Sequence, residues 1–282
     1  MAARLADSVA QIENVRQLET VVAAMRGIAA SRAQKGRALL AGVDAYSNVV
    51  SRAIGQALAL LPADGRPAPP VQGSRSCIIL FCAEQGFAGA FSERVLDAAA
   101  RDLDGAVVLL VGTRGATVAR ERGLKPAQVT PMATHVEAIP TFANRLAEDL
   151  FGYVAADAIA KVDILFSRSI AGRGIDVDRH SLLPIDFTRF ARPVEPLAPM
   201  ITLGPRQLIE SLAEEYVYAQ LCEAALHAFE AENQARMMAM AAAKTNIETK
   251  LAELVQHQHQ LRQDEITTEI IELAAGAEAS KG

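Results

Sequence analysis

Three cysteines, five histidines and a handful of carboxylates are the residues of this 282-residue chain whose types could do chemistry. Cys77, Cys82 and Cys222 are odd in number and lack CxxC spacing, so no disulfide framework or thiolate metal site is expected. Cys77 and Cys82 fall on one expected strand at a spacing that sends them to opposite faces. Such sparse use of cysteine fits a reducing compartment. His257 and His259 do not share a face of an expected helix and read as solvated surface. His135, His180 and His227 have no cysteine or carboxylate at ligand spacing. Ser92 and Ser211 lack the context of a nucleophile elbow. The glycine pairs Gly86/Gly89, Gly112/Gly115 and Gly172/Gly174 read as turns, since neither GxxxxGK[ST] nor GxGxxG occurs. Glu84 is the best candidate for an acid, because it follows an expected parallel strand, where the sites of open α/β sheets gather. Met237, Met238 and Met240 form a soft packing surface expected to meet a partner. No cofactor, metal or catalytic residue is expected. The lack of a catalytic constellation points to a mechanical or binding role.

The elements that position these residues are announced by proline. All 12 prolines lie between Pro62 and Pro205, and after Gly204 the next glycine is Gly276. Proline breaks helix interiors, so both ends are free to be long helices. The formal net charge of −5 gives no electrostatic case for nucleic acid. Residues 1–61 hold seven Lys/Arg and four Asp/Glu, whereas residues 206–282 hold six and thirteen. Two helical ends of opposite charge suit each other as partners. No apolar run reaches the roughly 18 residues of a membrane span, and the first residues lack a signal-peptide core. A cytoplasmic chain without membrane insertion is therefore the expectation.

The N-terminal helix is expected over residues 4–60, with an apolar stripe at Leu5, Val9, Ile12, Val15, Leu18, Val22, Met25 and Ala29. Gly27, Gly36, Gly42 and Gly55 within it allow close helix approach or a bend. A Pro-rich linker follows at 62–74. Continuous apolar runs at 76–82 and 106–111 read as strands buried on both faces. Further strands are expected at 127–130, 162–167 and 180–190, with helices at 92–103, 116–122 and 141–157. Their alternation predicts an α/β domain with a mainly parallel sheet over 75–204. The C-terminal helix runs over 205–276, capped by Gly276, and leaves a tail at 277–282. Its row Met240, Lys244, Ile247, Leu251, Leu254, Gln258, Leu261 keeps the 4,3 alternation of a coiled-coil seam. The stripe then shifts phase to Ile266, Ile270 and Leu273, a change of winding or of partner. The fold class is thus two long terminal helices, paired as an antiparallel coiled coil, around an inserted α/β domain.

Four blocks carry a resemblance. Residues 232–240 resemble the ARMMAM signature of the gamma subunits of F-type ATP synthases, and residues 262–270 resemble that family's RQxxITTEI motif, followed by Ala275-Gly276-Ala277. Ala24-Met25-Arg26 with Ala29-Ala30-Ser31-Arg32 resembles its AMKxVSAAK run, and residues 83–91 resemble its SDRGLCGGFN turn. The turn has Glu84-Gln85 where the family usually has Asp-Arg. The resemblance implies a central rotor shaft without an active site of its own, coupling ion-driven rotation to ATP synthesis or hydrolysis at beta-subunit sites. It implies alpha and beta subunits of a catalytic hexamer, an epsilon subunit and a membrane c-ring as partners, on the cytoplasmic face of a bacterial membrane. By position it implies partner contacts at Met25, Arg26, Arg262 and Gln263, and its signature blocks extend these to Glu84, Arg236, Met237 and Met240. Two other readings compete. One is a coiled-coil adaptor with an α/β head; the other is an α/β enzyme resting on Glu84 and the strand-end glycines.

Overall fold

In the computed structural model of the chain, which describes residues 2–61, 75–157, 159–190 and 199–279, two apolar runs lie side by side. β1 (Arg75–Phe81) and β2 (Val107–Val111) are parallel, with Cys77 opposite Val107 and Phe81 opposite Val111. Both are buried through the paired stretch, which is why neither shows polar alternation. β4 (Ile159–Ile170) flanks β1 in parallel, and β3 (Gln128–Thr130) extends the sheet beyond β2. β5 (Gly174–Leu183) runs antiparallel to β4, giving the order β3-β2-β1-β4-β5.

The last strand departs from expectation. It lies at Gly174–Leu183 rather than at 180–190. Gly172 and Gly174 take φ of 76° and 88°, a tight return that only glycine enters freely, so the strand starts early. Phe187–Arg189 is a single helical turn, with Asp186 accepting from the Thr188 amide.

Strand alternation sorts the core. Cys77, Ile79 and Phe81 join the layer that holds α4 (Ile139–Asp157) and part of α5 (Pro205–Ala279). Ile78, Leu80 and Cys82 face α2 (Phe91–Ala99) and α3 (Thr113–Glu121). The two cysteines do fall on opposite faces, and burial pushes both thiols up to about 12, which leaves them protonated and inert at neutral pH.

Asp163 of β4 is the buried charge on the α2 face. Arg179 of β5 reaches it at 2.5 Å and Lys161 at 3.0 Å, and Arg179 also holds Asp102. Burial alone would raise its carboxyl, but the hydrogen bonds from Arg179 and Lys161 outweigh it and hold the group below its ordinary 3.8. A carboxylate depressed in the fold contributes stability above the unfolded value and loses it as pH falls through the folded one. The stability advantage of wild type over Asp163→Asn should therefore shrink steadily below about pH 3.8. Thermal unfolding of both proteins between pH 2 and 6 checks this; a constant difference would contradict it.

The terminal helices are α1 (Ala2–Ala59) and α5, unbroken as the proline-free ends predict. The chain divides into two compact units, residues 29–236 and residues 1–28 with 237–282. These units cut across the segments expected from the sequence, and the linker at 62–74 lies outside the described residues.

Within the unit 29–236, α1 and α5 run antiparallel. Arg37 pairs with Glu230 and Gln234, Ser47 accepts from Gln220, and Val50, Ile54, Ala57 and Leu58 cluster with Ile209. A Cβ on Gly36 would stand 3.2 Å from the Glu230 Cβ, so this glycine permits the close approach, whereas Gly27 and Gly42 face open space. The row Gln220, Glu223, His227, Glu230, Gln234 forms one polar face of α5. Ser169 of β4 donates to Gln234 at its upper end.

The other unit holds α1 as far as Ile28 and α5 from Met237, a helix pair of its own. Met240 and Leu254 are buried along the expected seam, and Ile12 faces inward from α1. Two members of the expected α1 stripe do not hold: Val9 and Leu18 are exposed, while Ser8 is buried and Glu19 partly so. A partner helix repeats its contacts every 3.5 residues, and that spacing selects Ser8 over the more apolar neighbour. Gly276 is also not a cap, since α5 continues to Ala279.

Candidate functional site

The turn after β1 is held from three sides. From α5, the Glu232 carboxylate accepts from the amides of Glu84 and Gln85, each at 3.1 Å. One turn on, Arg236 donates to the carbonyls of Gly86 at 3.0 Å and Gln85 at 3.1 Å. Arg236 also pairs with Glu232 itself and with Asn233 Oδ1. Glu232 and Arg236 are each 5% exposed, so this is a buried ion pair whose remaining valences go to backbone. From α1, Arg32 donates to the Gln85 side chain at 3.3 Å.

Glu84 supplies the third hold. Its carboxylate accepts from the Thr113 amide at 3.0 Å and the Met132 amide at 2.8 Å. The Thr113 hydroxyl lies 2.9 Å from that carboxylate and 3.1 Å from the Glu84 carbonyl. Thr113 opens α3 just beyond β2, and Met132 follows β3. The negative charge thus sits at a helix N-terminus, where orphan amides and the helix dipole favour it. Gly112 makes room for this: its φ is 105°, and a Cβ there would stand 2.5 Å from the Cys82 carbonyl. Ser92 is structural as well, its hydroxyl accepting from the Ala83 amide at 3.1 Å. Beyond the turn stands Phe87, at φ 62° and 67% exposed.

The expected site residues separate by burial. Arg26, Arg262 and Gln263 are exposed, and Met25 and Met237 are half-buried. Arg236 and Met240 are buried, and Glu84 spends its carboxylate on its own chain. Within this chain Arg236 and Glu84 are engaged in hydrogen bonds to the turn and its neighbours, and Met240 is packed inside. Arg236 and Glu84 grip the same turn; the other expected residues are not gathered with them.

One cluster escaped the sequence reading. Phe166 lies between two imidazoles, with His227 stacked on it at 5.8 Å and His180 edge-on at 5.1 Å. Burial, aided by nearby Arg168, lowers the His227 pKa and keeps that ring neutral. Burial and Asp44 raise Glu223 beside it. No sequence spacing links β4, β5 and α5 here; only the sheet register does.

The end of α5 resolves the phase shift. After Leu261 the less exposed positions continue at Glu265 and Thr268, while Ile266, Ile270 and Leu273 are 50%, 60% and 74% exposed. The apolar stripe has left the helix pair and faces outward with Ile271. On α1, Leu18, Val21 and Ile28 are likewise exposed. An exposed apolar surface of this kind is what protein–protein interaction sites present.

A family model described as ATP synthase matches residues 4–279. The chain belongs to the ATP synthase family, among its gamma chains. The ATP synthase gamma chain of Sulfurihydrogenibium sp. (strain YO3AOP1) is 24% identical, with 96% of each chain covered. That of Clavibacter sepedonicus is 26% identical over 99% of this chain and 98% of its own. In fold, the chain is similar to one from the mitochondrial ATP synthase of Euglena gracilis in rotational state 3. The TM-score is 0.68 at 10% identity, covering 99% of this chain and 95% of that one. A rotor chain of the same organism's synthase gives 0.65 at 9% identity, covering 94% and 100%. The two long helices and the inserted, mostly parallel sheet are therefore the gamma fold.

Proposed function

We propose that this chain is the central rotor shaft of an F-type ATP synthase, coupling ion-driven rotation to ATP synthesis or hydrolysis at sites on other subunits. The observation that carries the reading is the outward apolar stripe of Ile266, Ile270, Ile271 and Leu273 on α5. A helix pair in water keeps such residues inside; one enclosed by other subunits can present them to its surroundings. The enclosing partners are alternating alpha and beta subunits. An epsilon subunit and a membrane c-ring meet the α/β domain. No described helix is long and apolar enough to cross a membrane, so attachment runs through those partners, on the cytoplasmic face of a bacterial membrane. A shaft biases the sites it touches by contacting them differently at each angle. In this reading that contact falls to Met25, Arg26, Met237, Arg262 and Gln263, of which Arg26, Arg262 and Gln263 are exposed and Met25 and Met237 half-buried.

Co-expression with alpha and beta subunits tests the reading. The chain should co-purify with the hexamer and restore coupling to a complex lacking its gamma subunit; no association would end the proposal. Arg262→Ala gives a finer check. The side chain is exposed, so unfolding of the isolated chain should change by less than about 0.5 kcal/mol. Loss of a charge-assisted hydrogen bond to a partner costs about 1.5–3 kcal/mol, so turnover or assembly should fall roughly tenfold or more. Equal turnover and equal yield of complex would remove Arg262 from the contact set.

A further inference from the structure

We propose that Glu84 is a positioning residue through which torque passes between α5 and the sheet, an assignment that rests on the rotor reading above. The turn 84–86 carries most of the hydrogen bonds between the two; Ser169 of β4 adds one more, to Gln234. Glu232 and Arg236 of α5 grip its backbone on both polarities, taking two amides and filling two carbonyls. A helix that twists about its axis carries this turn with it. The turn continues one strand of the sheet, β1, and the Gly115 amide of α3 holds the chain just before it at the Ala83 carbonyl. Glu84 adds β2 and β3: its carboxylate ties the tip of β2, at Thr113, and the chain leaving β3, at Met132, to the same turn.

Geometry favours this over a partner-binding or catalytic role. The carboxylate oxygens face Thr113 and Met132 of the same chain, with three donors within 3.0 Å. Charge-assisted bonds to backbone amides are short and strong and resist shear better than apolar contact. Without them, the turn is tied to β2 and β3 only through the β1–β2 ladder and the Gly115–Ala83 bond, and it yields further before those strands move. The expected consequence is a compliant rotor that still turns over ATP but passes less of each step to the ion-translocating side.

The test uses the assembled synthase with Thr113→Val, which is nearly isosteric and deletes the hydroxyl beside Glu84 while keeping the Thr113 amide. Thr113→Ser retains that hydroxyl and serves as the rescue. Glu84→Ala removes every bond of the set and is read beside them. Three quantities are measured: ATP hydrolysis, ions pumped per ATP, and hydrogen exchange at residues 84–90. In Thr113→Val, exchange in the turn should quicken at least tenfold and ions pumped per ATP should fall at least twofold, with hydrolysis within twofold of wild type. Thr113→Ser should restore both. Faster exchange with unchanged coupling overturns the proposal, as does unchanged exchange. If wild type itself fails to assemble with alpha and beta subunits, the rotor reading fails; if it assembles and couples but the variants match it, only the role of Glu84 falls.

Discussion

Gly115→Ala should destabilise the chain by about 3 kcal/mol or more, far above the cost of an ordinary surface change. A Cβ at this position would stand 2.1 Å from the Cys82 Cβ and 3.3 Å from its Cα. These atoms are rooted in the strand end and have no flexible arm to swing aside. The Gly115 amide also donates to the Ala83 carbonyl at 2.8 Å, so α3 cannot rotate away without losing that bond. Relief requires lifting α3, which opens the cluster of Ala116, Val118 and Ala119 against Ile78, Leu80 and Cys82. Gly152→Ala is the matched control. It sits in α4 with nothing within 4 Å of its added Cβ, and alanine there should stabilise by roughly 0.5–1 kcal/mol. Urea unfolding of both variants decides the matter: a Gly115→Ala loss below 0.5 kcal/mol would show that α3 is not seated on β1 as described.

That close seat shows where sequence reading stops. The glycines at 112 and 115 are legible as a turn, but the strand beneath them is not, because Cys82 lies about thirty residues away. The same holds for Glu84, whose partners Thr113 and Met132 are 29 and 48 positions off. Local pattern says only that an acid stands at a strand end, and an active site and a strut look alike at that level. The elements themselves were plain, since apolar runs of strand length and long breaker-free ends are local signals. Cys77 and Cys82 show the middle case: strand periodicity assigns their faces, but tertiary burial makes them inert. The coiled-coil phase was legible on α5 through Leu261 and misplaced on α1 at Val9 and Leu18. Apolar residues on a shaft point both toward the partner helix and away from it, so periodicity alone cannot choose the inner stripe.

Arg236→Met should cost about 3–5 kcal/mol, the toll of stranding one member of a buried ion pair. By sequence, Glu232 and Arg236 are an ordinary pair one helical turn apart, worth a few tenths of a kcal/mol on an exposed helix. Burial changes the sign of the argument. Methionine matches the volume but leaves the Glu232 carboxylate facing only the amides of Glu84 and Gln85, and it orphans the carbonyls of Gln85 and Gly86. Glu232→Gln in the same background removes the stranded charge, so the double variant should recover part of the loss. The coupling energy from the full cycle should be at least 1 kcal/mol, as expected for residues in one network. Arg37→Met is the contrasting measurement. Its partner Glu230 is 1% exposed, but Arg37 itself is 62% exposed, so water can take the place of the guanidinium when it is removed. That variant should lose less than Arg236→Met. If denaturant unfolding of the full chain ranks the two in the opposite order, the grip on the turn at 84–86 is not where α5 is fastened to the sheet.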